Sequence, residues 1–175
     1  MDTPKASLKK IALNYGLILG LLSIVITVIL FVTNNHIDRP WWSSLLSFLL
    51  MIAIIVYGLK AFKAANGGFM SLGEAIKTGL AISVVAGIIG AIFNYLFVTV
   101  IEPDFVAKML DFTRERMYEQ NPNMTEEQAE MALSMSEKFM SPGIMSAFAI
   151  IGSLFFGFII SLIAGLVMKQ NRPEH

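Results

Sequence analysis

Four long apolar segments stand out in the pattern of hydrophobic and polar positions along the chain. We predict transmembrane helices over residues 11–33, 40–59, 75–101 and 144–168. A helix rises about 1.5 Å per residue, so about 20 apolar residues suffice to cross a hydrocarbon layer of roughly 30 Å. The pattern therefore predicts an all-α, polytopic integral membrane protein, in which residues 1–175 form a single membrane domain with four spans.

The segment between the third and fourth predicted spans, residues 102–142, is too long for a plain connector and carries apolar residues at helical spacing. Pro103 suits the first turn of a helix, and Pro122 breaks that helix. Thr125 and Gln128 have the spacing of a capping box that starts a second helix. We therefore expect a helical hairpin between the third and fourth spans.

The composition supports the membrane assignment. Apolar residues make up 55% of the 175 residues and charged residues 15%, against about 45–50% and about 25% in soluble domains. The chain contains 13 Phe and 11 Met, which excludes the polar, highly charged composition of disordered chains. Lys plus Arg equal Asp plus Glu at 13 each, so no basic excess indicates a nucleic-acid partner.

Charged residues are distributed unequally between the two predicted sides of the membrane. The two terminal tails and the loop over residues 60–77 hold eight Lys or Arg and three acids, whereas the other two connections hold five and ten. Cytoplasmic segments of membrane proteins are enriched in Lys and Arg. We therefore expect both termini in the cytoplasm and the helical hairpin on the extracytoplasmic side.

Small residues recur at every fourth position in two of the predicted spans, which places each set on one helix face. Because lipid supplies no hydrophobic drive for helix association, close contact between spans depends on such residues. We call the two sets the ladders, and we expect them to meet as a helix-packing site, in a compact bundle or as a self-association face. They are Ala75, Gly79, Ser83, Gly87 and Ala91 in the third span, and Ala149, Ser153, Gly157, Ser161 and Gly165 in the fourth.

The outer ends of the first and third spans share the sequence Leu-Phe-Val-Thr, at residues 30–33 and 96–99. The trace of a duplicated hairpin is one interpretation, and chance within an apolar alphabet is the other. Asn94 and Tyr95 precede the second copy and form the most conspicuous polar pair inside a span. We expect an interhelical hydrogen bond there.

The second helix of the hairpin carries a candidate interaction face, formed by Met131, Met135 and Phe139 at four-residue spacing opposite a glutamate-rich side. This stripe can pack on the first helix of the hairpin, lie on the outer leaflet or hold another protein. Seven of the methionines fall between residues 109 and 145, which raises copper(I) binding because thioethers suit that ion. Helical spacing favours packing and adaptable contacts instead.

Groups that support catalysis are missing from the predicted spans. No Asp, Glu, Lys, Arg or His lies within residues 11–33, 40–59, 78–101 or 144–168, although proton relays and ion paths usually need such groups. The chain has no cysteine and no phosphate-binding loop, dinucleotide fingerprint or hydrolase motif. We therefore expect that the protein is not an enzyme and has no catalytic residue, no cofactor and no metal site. We expect His36, Asp38 and Arg39 to form a solvated cluster.

A run of glycines, an aromatic residue and a proline gives the chain a family resemblance. The features are Gly67-Gly68-Phe69-Met70-Ser71-Leu72-Gly73-Glu74-Ala75, then Gly79, Gly87 and Asn94-Tyr95 in the following span, then Pro103-Asp104-Phe105. This order resembles a family of small bacterial membrane proteins, typical of Bacteroidota, known as domain of unknown function 4199. The resemblance covers nearly the whole chain. It implies a four-helix inner-membrane protein with an extracytoplasmic insert and carries over no catalytic residue.

These observations predict a non-enzymatic interaction or scaffold protein of the inner membrane, which acts through helix packing and its outer hairpin. Its expected surroundings are the lipid bilayer and, as a partner, a second copy or another membrane protein. The alternative is a small permease or channel subunit whose path would be lined by Ser83, Asn94, Ser153 and Ser161. Methionine-based metal handling outside the membrane is a third hypothesis.

Overall fold

The structure, a computed structural model, describes residues 7–172. Its helices are α1 (Leu8–Val32), α2 (Trp41–Ala65), α3 (Leu72–Leu96), α4 (Phe105–Gln120), α5 (Glu126–Phe139) and α6 (Pro142–Met168), and a π-helical turn over Phe97–Ile101 extends α3. Helices α1, α2 and α6, and α3 with its extension, are long and apolar enough to cross a membrane. The predicted all-helical class with four apolar spans is therefore confirmed.

The loop between α2 and α3 is built by two helix caps. Gly67 and Gly68 have φ angles of +73° and +88°, and the N–H of Gly68 donates to the carbonyl of Lys63 at 2.9 Å. This is the glycine-dependent bond pattern that ends many helices. Ser71 and Glu74 then form a capping box that starts α3. The segment that carries the family resemblance is thus a helix stop followed by a helix start.

The same loop is tied to the residues that follow α6. The backbone N–H groups of Met70 and Gln170 each donate to the carbonyl oxygen of the other residue, both at 2.9 Å. The guanidinium of Arg172 donates to Asn66 Oδ1 at 3.2 Å. We call this end of the bundle the proximal end, and the end that carries the α1–α2 loop, α4 and α5 the distal end.

Helix α3 lies at the centre of the bundle. It packs most extensively against α6, next against α1, and also contacts α2. On the α1 side, a Cβ atom added at Gly20 would lie 2.9 Å from the Cβ of Ile89, and Gly16 faces Val85 as closely. Glycine on α1 therefore lets the two backbones approach closely enough to receive β-branched side chains of α3.

The two ladders meet along the antiparallel contact between α3 and α6. Gly79 faces the side chain of Ser161, and Gly157 faces Ser83, so that a Cβ atom added at either glycine would overlap the opposite serine. The hydroxyl of Ser153 donates across the interface to the carbonyl of Ser83 at 2.9 Å. The flanking contacts pair Ala75 with Gly165 and Gly87 with Ser153.

The last pair of ladder residues, Ala91 and Ala149, does not follow the regular pairing. Ala91 is buried, but the hydroxyl that reaches its carbonyl, at 3.2 Å, belongs to Ser146. Ala149 is exposed and lies at the edge of a cavity instead. Beyond Gly87, α3 and α6 therefore stay in contact through Ser146 and not through the ladder residues of α6.

The apolar core is concentrated in the proximal half of the bundle. Ile55 and Leu59 of α2 and Ile82 of α3 have no exposed surface, and Ile160 of α6 is 6% exposed. In the distal half of α2, by contrast, Leu45, Leu46 and Leu49 are about half exposed on the surface available to lipid. The bundle is thus tightly closed at one end and looser at the other.

Replacing Gly157 with Ala should destabilise the bundle, because the added methyl group overlaps Ser83. Overpacking of this kind costs about 1–3 kcal/mol, and about 2–4 °C of melting temperature accompanies each kcal/mol in a chain of this size. Gly152→Ala is the matched control, since Gly152 lies on the same helix and has nothing within 4 Å of an added Cβ. Thermal unfolding in mild detergent measures both; equal melting of the two variants would contradict the packing.

Candidate functional site

Packing within one chain buries most of the ladder residues. Ser83 and Ser161 have no exposed surface, and Gly79, Gly157 and Gly165 are buried at the same contact. A face that is covered by a neighbouring helix of the same chain is not free for a partner. Surfaces for other molecules must therefore be sought elsewhere.

Helix α5 presents the predicted interaction face to its surroundings. Met131 is 65% exposed, Met135 59% and Phe139 55%. The buried residues of α5 are instead Ala129 and Leu133, which lie on the opposite side of the helix, and α5 packs against α4. The methionine stripe is thus left uncovered by the hairpin's own packing.

The exposed stripe continues onto α6. The ring of Phe139 lies 6.4 Å from the ring of Phe148, between centroids, and Phe148 and Ile151 are 55% and 60% exposed. We call the surface formed by Met131, Met135, Phe139, Phe148 and Ile151 the apolar strip. The contact between the Phe139 and Phe148 rings joins its α5 part to a span that lipid would surround.

A charged cluster joins the hairpin to the bundle, and sequence reasoning missed it. Nε2 of His36 lies 2.8 Å from Oε2 of Glu102, and Nζ of Lys108 lies 2.6 Å from Oε1. The His36 and Glu102 side chains are only 9% and 6% exposed. The expectation of a solvated His36, Asp38 and Arg39 cluster is therefore wrong for His36, while Asp38 and Arg39 are exposed.

Aromatic rings enclose the imidazole of His36. The Phe31 ring meets it edge to face at 5.2 Å, and the Phe105 ring stacks on it at 6.2 Å, between centroids. Phe97 lies 6.3 Å away and also contacts Phe31 at 5.3 Å. Phe31 and Phe97 are the aromatic residues of the two Leu-Phe-Val-Thr copies. The repeated Leu-Phe-Val-Thr sequence was thus the one signal in the sequence that could have indicated that the distal ends of α1 and α3 meet.

The π-helical turn places Glu102 in this cluster. Its N–H donates to the carbonyl of Phe97 at 2.7 Å, five residues back, which is the bond that defines a π-helix. The extra residue in the turn changes the direction in which the following side chain projects. An isolated acid directly after a long apolar run is a weak sequence sign of such a role.

The cluster lowers the pKa of Glu102. Partial burial by itself raises the pKa of this carboxyl, but the hydrogen bond from Lys108 and the contact with His36 outweigh that effect. The pKa of the Lys108 ammonium is raised, chiefly by its hydrogen bond to Glu102.

The cluster anchors α4 to the distal ends of the spans. Its imidazole is enclosed by phenylalanine rings, and its carboxylate is shared between that imidazole and the ammonium of Lys108. A second ion pair, Arg116 to Asp38 at 3.1 Å, also links α4 to the α1–α2 loop. Across residues 7–172, no three His, Asp or Glu side chains come together as a metal-binding set.

The fold and the exposed apolar spans define a multi-pass helical membrane protein. A sequence profile for the family described as "Protein of unknown function (DUF4199)" matches residues 14–170, and the chain belongs to this family. Comparison with curated proteins and with solved structures finds no match.

The charged cluster predicts how stability depends on pH. A carboxyl whose pKa is lowered by folding stabilises the folded state above its unfolded pKa, near 4.5, and this contribution is lost as pH falls through the folded value. Glu102→Gln should lower the free energy of unfolding by about 1–3 kcal/mol at pH 7, and the difference from wild type should shrink as pH falls below 4.5. Melting temperatures across this range measure it.

The matched control is Glu119→Gln, which neutralises an exposed acid on α4. It should melt like wild type at every pH. A Glu102→Gln protein whose deficit stays constant down to pH 3 would show that the carboxylate's charge does not stabilise the junction.

Proposed function

We propose that the chain is a non-enzymatic interaction protein of a bacterial inner membrane, with both termini cytoplasmic, and that it binds another membrane protein through the apolar strip. The observation that carries the proposal is the continuity of exposed apolar surface from Met131 on α5 to Ile151 on α6. A partner that is itself anchored in the membrane can cover both parts of such a surface. Methionine side chains adapt their shape to a partner.

The charge on α5 favours a protein over the lipid surface as the occupant. The helix carries exposed Glu126, Glu127, Glu130 and Glu137 against a single Lys138. Helices that lie on bacterial membranes usually have Lys and Arg on their polar face, which attract anionic lipids. An acidic rim around an apolar stripe fits a partner surface with an apolar centre and basic edges.

The same charges disfavour a second copy of this chain. In a two-fold contact the same patch of both copies meets itself, so two stripes in contact would bring their glutamate rims together. Like charges placed opposite each other at an interface are unfavourable. The proposal therefore takes a different protein as partner.

The permease alternative has less support from the geometry. It requires Ser83 and Ser161 to line a path, but both are completely buried between α3 and α6. Ile55 and Ile82 also fill the proximal half of the bundle. The apolar strip, by contrast, is exposed, and this supports the role of an interaction protein.

A photo-crosslinking residue in place of Met135, in the full-length chain and its native membranes, should trap one membrane protein as a discrete adduct. Met131→Glu should abolish this adduct, because a carboxylate placed on the strip is desolvated by the partner. It should leave the melting temperature unchanged, because Met131 is 65% exposed. Gel mobility and peptide mass spectrometry identify the adduct.

The control places the same crosslinker at Glu119, which is exposed on α4, outside the apolar strip and its acidic rim. The proposal fails if adducts form equally from position 119, if only lipid adducts form, or if the product has twice the mass of the chain. Labelling of Met135→Cys by a membrane-impermeant maleimide in cells with a permeabilised outer membrane checks the orientation, and the absence of other cysteines keeps the background low.

A further inference from the structure

The loose distal half of the bundle contains a cavity of about 320 Å³. All four spans contribute to its wall, which includes Leu19, Phe48, Met51, Gly90, Gly152 and Phe156. The volume lies at the lower end of the range for small-ligand sites, about 300–1,000 Å³. The cavity lies beside the ladder contact, because Gly87 and Ser153 are also in its wall.

A smaller cavity of about 110 Å³ adjoins the first one, because Ser23 and Gly90 line both. It extends to the distal end of the spans, where Asn94 and Arg39 are in its wall. We infer from these shared wall residues that the two cavities form a passage from the distal surface toward the middle of the membrane. Asn94 and Arg39 line its mouth at the distal end, and the larger cavity is lined mainly by apolar residues.

The mouth offers hydrogen-bond donors without acceptors. Among residues 7–172, no carboxylate forms an ion pair with Arg39, and the amide nitrogen of Asn94 is buried without a hydrogen-bond partner. The hydroxyls of Ser23 and Thr27 donate to carbonyls of their own helix. An unpaired guanidinium beside an unpaired amide donor suits an anion, and arginine in particular suits a phosphate.

The deeper cavity is suited to a hydrocarbon chain and opens toward lipid. Phe48 and Phe156 meet edge to face at 5.7 Å, between centroids, where α2 and α6 come together. Both rings are more than 40% exposed. Both rings also line the cavity, so they form its edge on the surface that faces lipid.

We propose that this passage binds one anionic phospholipid of the leaflet at the distal end, with its phosphate on Arg39 and Asn94 and one acyl chain in the cavity. An anionic head group supplies the charge that Arg39 lacks, and the acyl chain fills an apolar space that water occupies poorly. The lipid would hold α2 against α6 where few side chains do so. This site is separate from the apolar strip, so it stands whether or not the strip binds a protein.

Native mass spectrometry of the full-length protein in mild detergent tests the proposal. Dioleoyl phosphatidylglycerol should bind one to one and more tightly than dioleoyl phosphatidylcholine, which has the same chains. Arg39→Gln should weaken the binding of phosphatidylglycerol about tenfold or more, the usual effect of losing a charge-assisted hydrogen bond. Gly152→Leu should also weaken it, because the new side chain occupies the cavity.

Each variant has a matched control. Arg114→Gln removes an exposed distal arginine that lies outside the cavity wall, and Gly143→Leu adds the same side chain to α6 where nothing lies within 4 Å of the added Cβ. Both should bind the lipid like wild type. If Gly152→Leu has a lowered melting temperature, Gly90→Leu is a second variant that fills the cavity, because Gly90 also has open space around an added Cβ.

Two results would overturn the proposal. Equal lipid binding by wild type, Arg39→Gln and the folded cavity-filled variant would show that the lipid only coats the surface. Binding of glycerol phosphate as tight as that of phosphatidylglycerol, and insensitive to the filled cavity, would show an anion site without a place for a lipid chain.

Discussion

The close approach of α3 to its neighbours is the constraint on which the rest of the structure depends. Lipid gives helices no hydrophobic reason to associate, so the bundle is held by van der Waals contact between backbones that small residues bring together. Gly157 and Gly79 accept serine side chains from the opposite helix, and Gly20 accepts Ile89. Serine hydroxyls of α6 then reach backbone carbonyls of α3, which strengthens a contact that contains no charged group.

The other features follow from how far this contact extends. In the proximal half, glycine and serine bring α3 and α6 together, and Ile55, Leu59 and Ile82 complete a core without exposed surface. Beyond Gly87 the pairing ends, and the spans leave a cavity at their centre. The distal end is held instead by polar contacts, with Glu102 between His36 and Lys108. The proximal end of the bundle is therefore closed by apolar packing, whereas the distal end is held by polar contacts and carries the hairpin.

The sequence predicted the features that depend on periodicity. Uncharged length identified the four spans, and four-residue spacing placed the small residues of α3 and α6 on single faces. It did not predict the π-helical turn, because Phe97–Ile101 is equally apolar in either helix type. The burial of His36 depends on Glu102, 66 positions away, and on rings from three segments. Ala149 has the ladder spacing, but Ser146 is the α6 residue that contacts Ala91, and Ala149 lies at the edge of the cavity instead.

The most direct measurement of the central claim is a disulfide between the two ladders. The natural chain has no cysteine, and a Cβ at Gly87 would lie 3.2 Å from the Cβ of Ser153, close to the spacing of about 3.5–4.5 Å in disulfides. In the Gly87→Cys, Ser153→Cys double variant, mild oxidation should give a crosslinked monomer at every protein concentration, with either single variant as the control. Crosslinked dimers in place of that monomer would show that the ladders join two chains and would contradict the account.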